Sequence, residues 1–204
     1  MPWFNALIRD MQFPTNHVAR SDLAVVIRDK FPKSRYHFLV LPWADIDNVY
    51  QVYSSMANTI DIPIYRASSF QLTSQHIPLL NEMLRLGLQA IEVSRCLRAD
   101  FSMGFHMKPS MRRLHLHVIS NDFTGRGMKT EKHWNIFHTD LFMPFGSILA
   151  ELEERGHIHQ RSPAYIQSLL STPLECNQCD RQFETIVTLK AHLLGHLVAI
   201  GAEP

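Results

Sequence analysis

Arg113, His115 and His117 alternate with Leu114, Leu116 and Val118 in the stretch M-R-R-L-H-L-H-V-I-S-N-D, Met111 to Asp122. Alternation is the pattern of a half-buried strand, so the cation and the two imidazoles share one face and the aliphatic side chains the other. Imidazole serves as nucleophile, base and phosphate partner near neutral pH. One histidine on a strand is ordinarily structural. Two on one face, with Arg113 in line and His106 just upstream, point to a phosphate-handling site. The preceding turn, with Pro109 and Ser110, adds a hydroxyl and backbone N–H groups for phosphoryl oxygens.

A second set of ligating residues lies near the end of the chain. Cys176 and Cys179 are two residues apart, twelve more follow, and His192 and His196 lie one helical turn apart. Two thiolates and two imidazoles at that spacing suit tetrahedral zinc, held for structure. Phe183 and Leu189 occupy the positions where a ββα finger builds its small core. Residues at the usual base-reading positions are roughly Thr185, Thr188 and Ala191, which offer neither a guanidinium fork nor an amide. A finger that grips backbone or braces its neighbour fits better than a sequence reader.

The elements that must position these groups follow from periodicity. LAVVI (Leu23–Ile27) and YHFLVL (Tyr36–Leu41) predict a hairpin joined by D-K-F-P-K-S, after a short amphipathic stretch from Trp3 to Met11. A polar, helix-compatible region follows Pro42, and Ile60 to Gln75 predicts a loop or insertion. Apolar residues recur at helical spacing from Ile77 to Leu97, Phe101 to His106 forms another strand, and Pro144 to Arg155 a further helix ended by Gly156. Ser162 to Pro173 is a connector with its own short helix. The fold class is α+β, an antiparallel sheet with helices, followed by the finger.

In 204 residues, 46% hydrophobic, a sizeable core can be built. A net charge of +1 places any basic site locally, and Lys108 to Lys132 holds six Lys/Arg against two acids. Three cysteines, two in a C-x-x-C, suggest a reducing compartment and a metal rather than disulfides. Neither a membrane-spanning run nor a signal-peptide pattern is evident.

The string G-F-H-M-K-P-S-M-R-R-L-H-L-H-V-I-S-N-D-F resembles the aprataxin branch of the histidine triad superfamily. So do K-H-W-N-I-F-H-T-D, D-K-F-P-K-S-R-Y-H-F-L-V-L-P and the position of the finger. The phosphopeptide-reading FHA domain that begins some longer members has no counterpart in this sequence. The resemblance implies a histidine triad catalytic domain over residues 1–160, a connector over 161–173 and the finger over 174–204. It implies a DNA 5′-adenylate hydrolase, which removes AMP left on DNA ends by abortive ligation. By position His115 is the nucleophile, His106 the general acid and His117 the stabiliser of phosphoryl oxygens, with His37 near the phosphate. Asp29 would bind the ribose, although a turn-forming aspartate looks the same. Lys33 and Ser110 would contact phosphate or DNA. Trp3, Phe4 and Leu7 would stack on the terminal base pair and adenine, or pack into the core. Lys129, Lys132 and Trp134 would face the DNA backbone, or form a solvated run. His133, His138, His157 and His159 are assigned surface or structural places, and Cys96 a buried place on the long helix.

Arg113 stands where the first triad histidine is expected. It can hold phosphate but cannot accept a hydrogen bond. Two outcomes follow: a working enzyme with Arg113 as a phosphate clamp, or a weakly active DNA-end-binding module. A histidine triad hydrolase of small adenylates is the remaining alternative, disfavoured by the finger and the basic segment. The expected ligands are zinc, no organic cofactor, and AMP as covalent intermediate and product. The expected partners are nicked or broken DNA carrying 5′-AMP and DNA repair proteins. No membrane association is expected, and a nuclear monomer is.

Overall fold

β-Branched and aliphatic residues make AVVIR and HFLVLP strands with almost no exposed side chain. They form β2 (Ala24–Arg28) and β3 (His37–Pro42), an antiparallel pair whose register runs from Ala24↔Pro42 to Arg28↔Phe38. The computed structural model describes residues 5–49 and 72–199. Within them β1 (His17–Arg20), β4 (Phe101–His106), β5 (Leu116–Ser120) and β6 (Phe142–Pro144) complete an antiparallel sheet of order β1-β2-β3-β5-β4-β6. Trp3, Phe4 and most of the expected loop Ile60–Gln75 lie outside the described residues.

One sheet face is covered by α2 (Ile77–Ser94), whose buried Leu80, Met83, Leu86, Gly87, Ala90 and Ile91 recur every three to four residues. They pack in one cluster with Val26, Phe38, Val40, Met103, Leu116 and Val118. Each fully buried Leu, Ile, Val, Phe or Met side chain among them is worth about 1.5–3 kcal/mol. A Cβ at Gly87 would sit 2.5 Å from Met103 Cε and 2.9 Å from Val118 Cγ2, so glycine lets the helix approach this closely. The helix starts with Pro78 in its first turn and stops at Arg95, which is left-handed (φ 58°). It is shorter than the expected Ile77–Leu97, so Cys96 lies beyond it and is half-buried. Nor is the segment after Pro42 helical as far as Val49.

The opposite face carries α1 (Ala6–Asp10), which sets Leu7 and Met11 over Val25, Ile27, Leu39 and Leu41. On that face too lies α3 (Glu131–His138), begun by Thr130, whose hydroxyl accepts from His133 N at 3.2 Å. The main core continues into α4 (Phe145–Arg155) through Phe145, Ile148 and Leu152, and Gly156 ends that helix at φ 75°. Then α5 (Pro163–Leu170), capped by Ser162, leads to the finger: β7 (Leu174–Glu175), β8 (Gln182–Phe183) and α6 (Ile186–Ala199).

Finger and sheet domain share a core. Leu174, Cys176, Leu189 and Leu193 cluster with Ile119, Phe123, Met128, Trp134 and Phe137. Asn177 Nδ2 donates to Asn121 O at 2.8 Å, and Lys190 Nζ donates to Gly125 O at 3.1 Å.

Candidate active site

Strand register gathers four histidines on one face. His117 pairs with Leu39 on one side and Gly104 on the other, and His37 and His106 lie two residues from those partners. His115 lies two residues from His117, just before β5 begins. The His106 and His117 ring centroids are 4.0 Å apart, those of His115 and His117 4.8 Å, and those of His37 and His117 5.2 Å. The Phe137 ring of α3 stands roughly perpendicular to those of His37, His106 and His117.

These rings border a cavity of about 540 Å³ that Leu7, Asp29, Lys33, Lys108, Ser110 and His133 also line. Arg9 and Lys30 join Lys33 and Lys108 there, so four cations face one carboxylate, a bias toward anions. Leu7 both packs and lines the cavity, so its two expected roles coincide. So do those of Asp29: Oδ1 accepts from Phe31 N at 2.6 Å in the hairpin turn, while the residue borders the cavity. Burial lowers the Lys33 pKa, and its Nζ donates to Phe31 O at 2.7 Å.

Tautomers follow from the hydrogen bonds. A carbonyl oxygen only accepts, so the 2.8 Å contact between His115 Nδ1 and Arg113 O places the proton on Nδ1. The lone pair of His115 is therefore on Nε2. Lys33 N donates to His37 Nδ1 at 3.3 Å, which puts the His37 proton on Nε2, 2.9 Å from His117 Nδ1. His117 accepts at Nδ1 and holds its own proton on Nε2. Among the described residues His117 Nε2 and His106 Nε2 are buried without a hydrogen-bond partner. Buried polar atoms ordinarily find partners, so two free ones beside a cationic cavity mark a ligand position.

Desolvation keeps these rings neutral. Burial holds His37 down at about 4, against the pull of Asp29 and with Lys33 adding to the shift. Burial and neighbouring imidazoles hold His106 and His117 well below the ordinary value. Burial lowers His115 as well, opposed by its bond to the Arg113 carbonyl. A neutral ring is what nucleophilic attack requires.

Three expectations need correction. Arg113 is not in the strand row: its φ of 81° is left-handed, which breaks the alternation, and β5 starts only at Leu116. Its guanidinium turns to Ala44 O and to Asp45 Oδ1, 3.1 Å away, and does not line the histidine cavity. Trp134 is 1% exposed and stacks on His138 at 3.6 Å, so it faces the finger core and cannot face DNA. His138 is accordingly structural, its Nδ1 donating to Trp134 O. Lys129 and Lys132 are exposed. Among the residues that line the cavity, sequence reasoning missed Arg9, Lys30, His133 and Phe137, and gave Lys108 only as the start of the basic segment. The spacing of His133, Ile136 and Phe137 on one helical face was the available signal.

In the finger, Cys176 Sγ is 3.5 Å from His196 Nε2, Cys179 Sγ is 3.2 Å from His192 Nε2, and the two Nε2 atoms are 3.0 Å apart. Tetrahedral zinc with Zn–S near 2.3 Å and Zn–N near 2.05 Å needs separations of about 3.3–3.6 Å, which this set nearly meets. Cys176, Cys179, His192 and His196 would hold the ion. The pair Thr185 and Thr188 is exposed at the helix start, with hydroxyls 3.0 Å apart.

Comparison with known proteins agrees with this geometry. A family described as scavenger mRNA decapping enzyme C-term binding matches residues 2–133, and a C2HE / C2H2 / C2HC zinc-binding finger matches residues 138–199. An aprataxin-like protein of Drosophila melanogaster is 42% identical over 97% of this chain and 27% of its own length. Aprataxin of Danio rerio is 38% identical over 96% of this chain and 54% of its own. The chain thus spans about a quarter to about half of these relatives. The crystal structure of the aprataxin orthologue Hnt3 in complex with DNA superposes with a TM-score of 0.67 at 21% identity, covering 97% of this chain and 94% of that one. Fold and site together define a histidine triad domain followed by a zinc finger. The chain belongs to the aprataxin family within that superfamily.

Proposed function

We propose that this chain removes AMP from 5′-adenylylated DNA ends through an adenylyl group carried on His115. The observation that carries the reading is the bond from His115 Nδ1–H to the Arg113 carbonyl, which leaves the Nε2 lone pair beside a cavity lined by four cations. Membership of the aprataxin family supports it, as does the structure of the orthologue Hnt3 in complex with DNA.

In the first step His115 Nε2 forms a bond to the adenylate phosphorus. The bond to the DNA phosphate oxygen breaks, and its electron pair leaves with the 5′-phosphate. His117 Nε2–H donates to a non-bridging oxygen, a stabilisation that strengthens as charge develops. In the second step water attacks the same phosphorus and gives up a proton to His106, the P–N bond breaks with its electron pair returning to His115 Nε2, and AMP departs. Dividing one displacement into two in-line steps is the benefit of covalent catalysis. His106 acts as acid toward the leaving phosphate. Burial lowers its proton affinity, and an anionic substrate raises it again. A phosphate monoester with a second pKa near 6 leaves readily, so the acid is asked for little.

Asp29 accepts from the ribose hydroxyls, and Lys33 and Ser110 hold phosphate. Trp3, Phe4 and Leu7 stack at the DNA end, while Lys129 and Lys132 meet the backbone. Nuclear residence follows from this substrate, and a monomeric state and contacts with repair proteins belong to the same proposal.

The test is a nicked duplex carrying 5′-AMP. The pure protein is expected to release AMP and leave a 5′-phosphate, and His115→Ala to abolish both. Turnover of adenosine phosphoramidate with none on the nick would favour a small-adenylate hydrolase. Tight nick binding without release would leave an end-binding module.

A further inference from the structure

Arg113 stands at the first triad position, yet its side chain leaves the reaction cavity. The backbone there is left-handed at φ 81°, which only a supported non-glycine residue adopts readily. That conformation aims the Arg113 carbonyl at His115 Nδ1, 2.8 Å away. The support comes from the segment just after β3. Arg113 Nη1 donates to Ala44 O and pairs with Asp45, and Leu114 N donates to Ile46 O at 2.6 Å. Next in sequence, Arg112 pairs with Asp47 at 2.8 Å. Asp45 is mostly exposed, so that ion pair alone contributes little. The charge-assisted bond to Ala44 O comes from a guanidinium whose side chain is only 9% exposed, and it is the stronger tie.

We propose that Arg113 is a positioning residue: its side chain, anchored to Ala44 and Asp45, holds its own carbonyl against His115 and so fixes the tautomer and aim of the nucleophile. Charge at this position therefore does not clamp phosphate. The inference rests on His115 being the nucleophile, and one of its two readouts needs no substrate.

The experiment compares wild type, Arg113→Met and Arg113→Lys. It measures kcat and KM on the adenylylated nick, and the His115 tautomer by nitrogen-15 NMR of the free protein. Arg113→Met is expected to lower kcat about 10- to 100-fold, the scale of a misplaced reacting group, with KM changed less than about two-fold. Its His115 becomes a mixture of tautomers. Arg113→Lys, which still donates to Ala44 O, regains most of the rate. A raised KM with kcat unchanged would overturn the proposal in favour of a phosphate clamp, and unchanged kcat and tautomer in Arg113→Met would overturn it outright. Should that variant fail to fold, the tautomer still decides: a proton on Nε2 of His115 in wild type contradicts the strut. An inert wild type defeats the hydrolase reading, while the NMR comparison still judges Arg113.

Discussion

His37 sits behind the reacting rings and links them to Asp29 and Lys33, so its titration reports on the whole wall. Its pKa in the folded chain is about 4 against 6.5 for a free imidazole, because burial disfavours the cation. Above pH 6.5 neither folded nor unfolded chains protonate it, and stability is unaffected by this group. As pH falls from 6.5 to about 4 the unfolded chain gains protons that the folded site refuses, so stability declines. Thermal unfolding between pH 7 and pH 4 is expected to show this decline, with a shallower slope in His37→Gln. At the same scale, His106→Ala is expected to slow AMP release about 10- to 100-fold, the low end for a general acid. His115→Ala is expected to abolish release. A comparable loss in both variants would show the leaving phosphate to need full protonation. The imidazoles were legible because alternation and residue type agree at His115 and His117. The place of Arg113 was not legible, since a left-handed residue breaks the alternation without changing the letters.

The hairpin turn after β2 brings Asp29 and Lys33 to the cavity, and the segment after β5 holds that turn in place. Gly125 N donates to Lys33 O at 3.0 Å, Gly127 N to Pro32 O at 2.7 Å, and Phe123 N to Ser34 Oγ at 3.1 Å. The Asp122 carboxylate accepts from Arg35 N at 3.1 Å and Thr124 N at 3.1 Å, tying the two segments again. A Cβ at Gly127 would lie 2.1 Å from Phe31 O, a backbone atom that yields only if the turn shifts. Gly127→Ala is therefore expected to raise KM several-fold with a smaller change in kcat, and to lower the melting temperature by several degrees. An unchanged KM would show that the turn tolerates displacement. Among elements, α2, the hairpin and β4 were plain from period and length. The short β1 and β6 were not, because three or four partly exposed residues carry no period and take their conformation from the neighbouring strand.

Across the molecule, finger and sheet domain meet through one core, so the zinc ligands and the candidate site are linked in stability. The ligand spacing gave the finger away; its burial against Trp134 and Phe123 depends on contacts distant in sequence and had no local signature. Leu193 is fully buried at that junction, and Leu193→Ala is expected to cost about 2–5 kcal/mol while the zinc ligands remain. Calorimetry should show a single transition that moves down when a chelator removes zinc, with catalytic and finger signals falling together. Two separate transitions would mean that the domains are held independently. The central claim, a covalent adenylyl group on His115, is met most directly by rapid quenching of a single turnover on the adenylylated nick, followed by peptide mass spectrometry. AMP joined to the peptide carrying His115, appearing together with the 5′-phosphate end and decaying as free AMP accumulates, is the predicted result. AMP released at full rate with no adduct, or an adduct on another residue, would contradict it.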